Sequence, residues 1–145
     1  MFIIEIIAIL SCVIFAGIAI YINVVEHPAR LACGTELAMT VFGPSYRRAA
    51  VLQASLAIIA TIMGIVLGVN SGNTLWFVGA LFIFLVVPFT FIAIMPTNNQ
   101  LLDANNSLTQ SENDVLLKKW GRLHGMRSAL SSVAAILYVL LSVNN

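Results

Sequence analysis

Asn23-Val24-Val25-Glu26-His27-Pro28-Ala29-Arg30 decides how this chain is read. It follows on about twenty nearly uninterrupted apolar residues, the length that spans a bilayer as a helix. Groups that ionise or hydrogen-bond strongly are thus delivered together at a membrane boundary. On a helix, Asn23, Glu26, His27 and Arg30 stand at i, i+3, i+4 and i+7 and share one face. A solvated loop has no need of that spacing, whereas a polar pocket in the mouth of a helix bundle does. A plainer reading of the same residues stays open. Asn23 and Glu26 match a capping box, Pro28 sits where its missing donor costs least, and Arg30 is a snorkelling cation.

The composition points the same way. Of 145 residues, 60% are hydrophobic and 9% charged, against about 25% charged in an ordinary soluble domain. Mean hydropathy is +0.99. Charges this sparse, separated by long apolar blocks, describe an integral membrane protein in a lipid bilayer. The net charge of +1 says little about partners, but the basic residues form no stripe, so nucleic acid is not an expected partner. Cys12 and Cys33 do not make a disulfide framework.

Four spans are expected, at approximately 2–21, 49–69, 74–95 and 126–143. The first reads as a span rather than a cleaved leader, since no basic residue precedes it and the run is too long. The fold class is all-α: a four-helix transmembrane bundle with a short interfacial helix in the first loop, residues 1–145 forming a single integral membrane domain. That short helix is placed over Glu36 to Phe42, capped by Thr35 and ended by Gly43-Pro44. Asn70-Ser71-Gly72-Asn73 is a tight turn that makes the second and third spans antiparallel neighbours. Ser111-Glu112-Asn113-Asp114 gives a capping-box start to a long last helix. Gly64 and Gly68 form Gly-x-x-x-Gly, which suits close packing inside the bundle and equally a homo-oligomeric seam; the bundle is favoured. Pro88 is expected to kink the third span.

Polar groups gather at one end of this bundle. Arg47 and Gln53 open the second span, Thr90 and Asn98 lie near the end of the third, and Trp120, His124 and Arg127 lead into the fourth. Trp120, His124 and Arg127 share a face at i, i+4 and i+7. Gln53 lies deep enough to need a partner. Ionisable residues at such depths are expensive, which makes them candidates for a site.

Four pieces in order carry a family resemblance: Asn23 to Arg30; Gly43-Pro44-Ser45-Tyr46-Arg47-Arg48-Ala49 with Gln53; Pro88-Phe89-Thr90 with Met95-Pro96-Thr97-Asn98; and Trp120-Gly121-Arg122-Leu123-His124-Gly125-Met126-Arg127. With them the chain resembles the small four-span membrane proteins of the anthrone oxygenase-like group, largely a family of unknown function. Members often carry a Trp just before the Pro-Ser-Tyr segment, where Gly43 stands here. Characterised members oxidise an anthrone to an anthraquinone with molecular oxygen and no conventional cofactor. The resemblance therefore implies an oxidoreductase acting on a small aromatic or quinone-type substrate, with no cofactor. His124 is the expected base and His27 its orienting partner, with Arg127 or Arg30 stabilising an oxyanion and Glu26 beside His27. Asn23, Arg47, Gln53, Thr90 and Asn98 would contact substrate, and Trp120 would stack on a flat ring.

Two other readings compete. His27, Glu26 and His124 form a 2-His-1-carboxylate set of the kind that binds non-haem iron, although the nearby arginines would repel a cation. The same cluster could instead be a non-enzymatic pocket for a lipid headgroup, a small metabolite or a partner subunit. Histidines facing a closed cavity favour catalysis; histidines facing headgroups favour binding.

All seven Lys and Arg (Arg30, Arg47, Arg48, Lys118, Lys119, Arg122, Arg127) fall in or beside loops 22–48 and 96–125. Positive-inside logic makes those loops cytoplasmic and puts both termini on the opposite side. A reporter fused at Asn105 is expected to read as cytoplasmic and one at Asn145 as external. The reverse pattern would show that the arginines serve the pocket rather than orientation.

Overall fold

The structure, a computed structural model, describes residues 1–105 and 107–143, and these are helical with short connections. Asn145, named above for a reporter, lies outside the described residues. Four helices are long and apolar enough to cross a membrane, with 31, 37, 28 and 34 residues. At about 1.5 Å per residue each exceeds the roughly 30 Å of a hydrocarbon core. The protein is a multi-pass integral membrane protein, and its fold is a four-helix bundle.

Helix α1 (Phe2–Tyr21) widens into a π-helical segment, Ile22–Glu26, and continues as α2 (His27–Ala32). After Cys33-Gly34 comes α3 (Thr35–Ser71), then α4 (Leu75–Phe89), a second π-helical segment Thr90–Ile94, α5 (Met95–Leu102) and finally α6 (Gln110–Val143). Each π segment ends two residues before a proline, Pro28 or Pro96. Proline has no N–H, and its ring crowds the carbonyl four residues back. A wider turn relieves that crowding. The His27 N–H reaches the Ile22 carbonyl and the Met95 N–H reaches Thr90, each five residues back.

Neighbours in the chain pack side by side, and α6 closes the ring against α1, so α1 stands diagonal to α4 and α3 diagonal to α6. One apolar cluster fills the bundle around Cys12, Phe15, Ala57, Trp76, Ile83, Ala134 and Tyr138. A second, nearer the α2–α3 connection, holds Phe42, Ile94, Leu101, Leu117 and Trp120. Along α3 and α6 the buried polar residues Gln53, His124 and Arg127 lie between the two clusters. Outward-facing Val51, Ile58, Ile62, Phe84 and Ile136 are exposed, as lipid contact requires.

The first loop differs from the sequence expectation. No separate interfacial helix covers Glu36 to Phe42, because α3 runs unbroken through Gly43-Pro44. Pro44 leaves the Thr40 carbonyl without its helical donor, but Thr40 is exposed, so water can serve it. Buried Ala38 and Phe42 meanwhile hold this stretch to the bundle. Gly34, not Thr35, precedes the helix, and its φ of 92° makes the reversal between α2 and α3. Asn23 and Glu26 cap nothing, since the helix passes through them. The capping box of α6 lies two residues earlier than expected. The Thr109 amide and hydroxyl donate to Glu112 Oε2 at 2.8 and 2.7 Å, and the Glu112 amide donates back to Thr109 Oγ1 at 3.3 Å.

Gly64 and Gly68 face inward. A Cβ on Gly68 would stand 2.7 Å from the Phe77 ring, and one on Gly64 would collide with the Tyr138 hydroxyl. Close approach inside the bundle therefore accounts for the Gly-x-x-x-Gly pattern. The Tyr138 hydroxyl donates to the Ala60 carbonyl at 2.9 Å, and its ring lies over Gly79, where a Cβ would come within 2.5 Å. Gly79→Ala is expected to lower stability by about 1–3 kcal/mol. A denaturant titration in detergent reads this as an earlier midpoint, and an unchanged midpoint would mean that Tyr138 is not held against α4.

Candidate functional site

Asn23 organises the polar layer. Its Nδ2 donates to the Gly121 carbonyl at 2.8 Å, so the amide orientation is set. Its Oδ1 then accepts from the Ser128 hydroxyl at 2.7 Å and stands 2.6 Å from His124 Nδ1. An amide oxygen can only accept, so His124 Nδ1 carries the hydrogen and, in the neutral ring, Nε2 keeps the lone pair. The π segment is what puts Asn23 here. It divides the polar residues of the opening stretch between two directions instead of one. Asn23 and His27 reach α6, while Glu26 and Arg30 pair with each other beside α3.

His27 donates from Nε2 to the Leu117 carbonyl at 2.9 Å, a bond that a carbonyl can only accept. Its Nδ1 is buried without a hydrogen-bond partner. The ring lies on Gly121, where a Cβ would stand 2.7 Å from His27 Cδ2. Trp120 sits among both imidazoles, its ring 4.8 Å from His124 and 5.0 Å from His27, with the Phe42 edge at 5.2 Å. Its indole N–H donates to Asn98 Oδ1 at 2.7 Å. Trp120 is thus packed on protein rings, and it stacks on His124.

The two buried arginines differ. Arg30 is ion-paired with Glu26 and donates to Ser45 Oγ at 2.9 Å. Arg127 donates to Gln53 Oε1 at 3.0 Å and lies 5.6 Å from the Phe15 ring centre, but among the described residues it meets no carboxylate. Its Nε and Gln53 Nε2 are buried donors with no acceptor among the described residues. A cation at this depth without a counter-charge favours any ligand or transition state that develops negative charge beside it.

Glu26, Arg30, Gln53, Trp120, His124 and Arg127 line one cavity of about 20 Å³, together with Ser45 and Tyr46. Asn23, His27 and Asn98 do not line it; they brace its walls. Thr90 donates to the Val86 carbonyl at 2.7 Å and lines a neighbouring groove. Arg47 is exposed and lines neither. Sequence reasoning passed over Gly121 and Ser128 as site residues. Ser128 was findable, four residues after His124 on the same face, whereas the need for a glycine under His27 shows only in three dimensions. Among the described residues no three His, Cys, Asp or Glu side chains are grouped to share an ion. Glu26 is turned to Arg30, His27 to Leu117 and His124 to Asn23.

Fold and site together define a multi-pass membrane protein whose four-helix bundle encloses a polar layer between two apolar clusters. The chain belongs to the anthrone oxygenase family, whose family model, described as "Anthrone oxygenase", matches residues 39–137. The matched stretch runs from α3 into α6 and contains Gln53, Thr90, Asn98, Trp120, His124 and Arg127, while Asn23, Glu26, His27 and Arg30 precede it. No curated protein and no solved structure matches the chain.

Asn23→Leu removes three hydrogen bonds at once. It should destabilise the protein by about 1–3 kcal/mol, chiefly through the polar groups it orphans. The unfolding midpoint in detergent checks this, and a variant as stable as the parent would mean that the Asn23 contacts carry no weight.

Proposed function

We propose that this protein is an oxidoreductase that oxidises a flat ketone or phenol bearing an acidic C–H group, using molecular oxygen. One observation carries the reading. The Asn23 contact leaves His124 with a lone pair on Nε2, on a ring that lines the same cavity as Arg127, a guanidinium without a carboxylate partner among the described residues. The burial of both rings, with 4% of His27 and 1% of His124 exposed, favours catalysis over headgroup binding.

In the reaction, His124 Nε2 takes a proton from the activated methylene carbon of the substrate. The electron pair left behind delocalises onto the substrate oxygen, where Arg127 and Gln53 Nε2 stabilise the oxyanion. The anion is electron-rich and reacts with oxygen at the carbon. One oxygen atom stays as a new carbonyl, and the other leaves as water with the two hydrogens of the original CH₂. For an anthrone the balance is anthrone plus O₂ giving anthraquinone plus water, with carbon oxidised and oxygen reduced. His27 and Trp120 act through His124 as positioning residues, and Glu26 holds Arg30 at the cavity wall.

Oxygen uptake by the purified protein with anthrone tests the proposal. His124→Gln should lower turnover by about 10²–10⁴-fold, the usual contribution of a general base. Arg127→Gln should lower it by about 10²–10³-fold, the scale for loss of an oxyanion donor. His27→Gln should act more weakly, since it changes only the setting of the Trp120 and Gly121 segment. Turnover unchanged in both the His124 and Arg127 variants would remove the enzymatic reading and leave a small-molecule or lipid binding protein.

A further inference from the structure

The His124 cavity is too small to contain a ring system. About 20 Å³ admits little more than one water-sized group. It does not stand alone, however. Tyr46, Ala50, Gln53 and Arg127 also form one wall of a groove of about 190 Å³ between α3 and α4. The inner surface of that groove is apolar, with buried Ala57 and Val86. Its outer edge is Ala54 and Phe91, both exposed, the latter at 63%. Exposed apolar side chains on a membrane-spanning bundle face lipid, so the groove opens sideways into the bilayer. Apart from Arg127, no charged side chain lines it among the described residues.

The shared wall carries the polar feature that a ligand needs. Gln53 Nε2 and Arg127 Nε are buried donors with no acceptor among the described residues, on side chains of residues that are 1% and 7% exposed. Buried donors at the end of an apolar groove call for an oxygen atom at the tip of an apolar body.

We propose that this groove is the entrance and the apolar subsite for a flat, lipid-dissolved aromatic molecule. It enters from within the bilayer, between α3 and α4. Gln53 and Arg127 hold its oxygen at the threshold of the small cavity, so that only the reacting edge reaches His124. This rests on reading that cavity as the reacting site. It adds the route by which such a substrate arrives and the apolar surface that holds its body.

The test uses the full chain in phosphatidylcholine nanodiscs, with empty nanodiscs as the partition control. The probe is 1,8-dihydroxyanthraquinone, already oxidised at the carbon concerned, with binding followed by its own visible absorbance. Ala54→Trp, at the groove edge, is expected to weaken binding at least tenfold. Leu52→Trp, which is lipid-facing and lines neither space, should leave binding unchanged. Gln53→Leu, which removes an orphaned donor without adding bulk, should also weaken binding, an arm that does not depend on a bulky substitution. Ala54→Trp or Gln53→Leu binding as tightly as the parent, or no binding by the parent, would each overturn the proposal. Oxygen uptake judges the reaction separately. Quinone bound in the groove with no anthrone turnover by the parent would remove the reaction and leave the groove standing.

Discussion

The contacts of one half-buried carboxamide set the arrangement of this site. Asn23 gives its donor and its acceptor to neighbouring protein. It does so on α6 alone, through the Gly121 carbonyl, His124 and Ser128. A single side chain therefore ties the first helix to the last, fixes which imidazole nitrogen holds the hydrogen, and sets the depth at which His124 lies. Gly121 makes the contact possible from the other side. With no Cβ it lets the His27 ring lie on its backbone while its carbonyl receives Asn23. Any larger residue would push His27 away from Leu117 and disturb both imidazoles.

Charge is distributed unevenly across the same layer. Arg30 and Glu26 neutralise each other beside Ser45. Among the described residues Arg127 has the Gln53 oxygen and the Phe15 ring, a neutral acceptor and a weak π contact. A buried cation so served is under-solvated, which is unfavourable for folding and useful for chemistry. The same imbalance that lowers the stability of the empty site raises its affinity for an anion formed within it. The second apolar cluster, with Phe42 and Leu117, covers the layer on its other side, which limits the water able to screen that charge.

Much of the architecture was legible in the sequence because apolar length and charge spacing are strong signals in a membrane protein. The four spans, the tight turn before Leu75 and the polar stripe of α6 follow from them. The stripe extends from Trp120 through His124 and Arg127 to Ser131, all buried, on an undistorted helix where spacing translates directly into direction. The opening stretch is less legible. Spacing alone puts its residues on one face, but the π segment turns Asn23 and His27 away from Glu26 and Arg30. Local rules also placed a helix end at Gly43-Pro44, where the packing of Ala38 and Phe42 overrides the missing hydrogen bond. Propensity sees the proline; it does not see the bundle on which the flanking residues rest. The small size of the cavity and its connection to the groove depend on side chains from α1, α3, α4 and α6 at once, and no local pattern records that.

The π segments have a consequence for how the protein can change. A π turn holds one residue more than an α turn, so deleting one residue there restores the ordinary ladder. The α turn that remains covers nearly the same angle as the π turn it replaces, so everything after it on that helix keeps its face. On the first helix His27 and Arg30 would stay beside their partners, and only the residues of the turn itself, Asn23 among them, would be re-aimed. The effect of losing a single codon there is confined to the turn, whereas the same loss in an ordinary α stretch would rotate everything beyond it by about 100°. A second such segment, Thr90–Ile94, follows α4 and precedes Thr97 and Asn98.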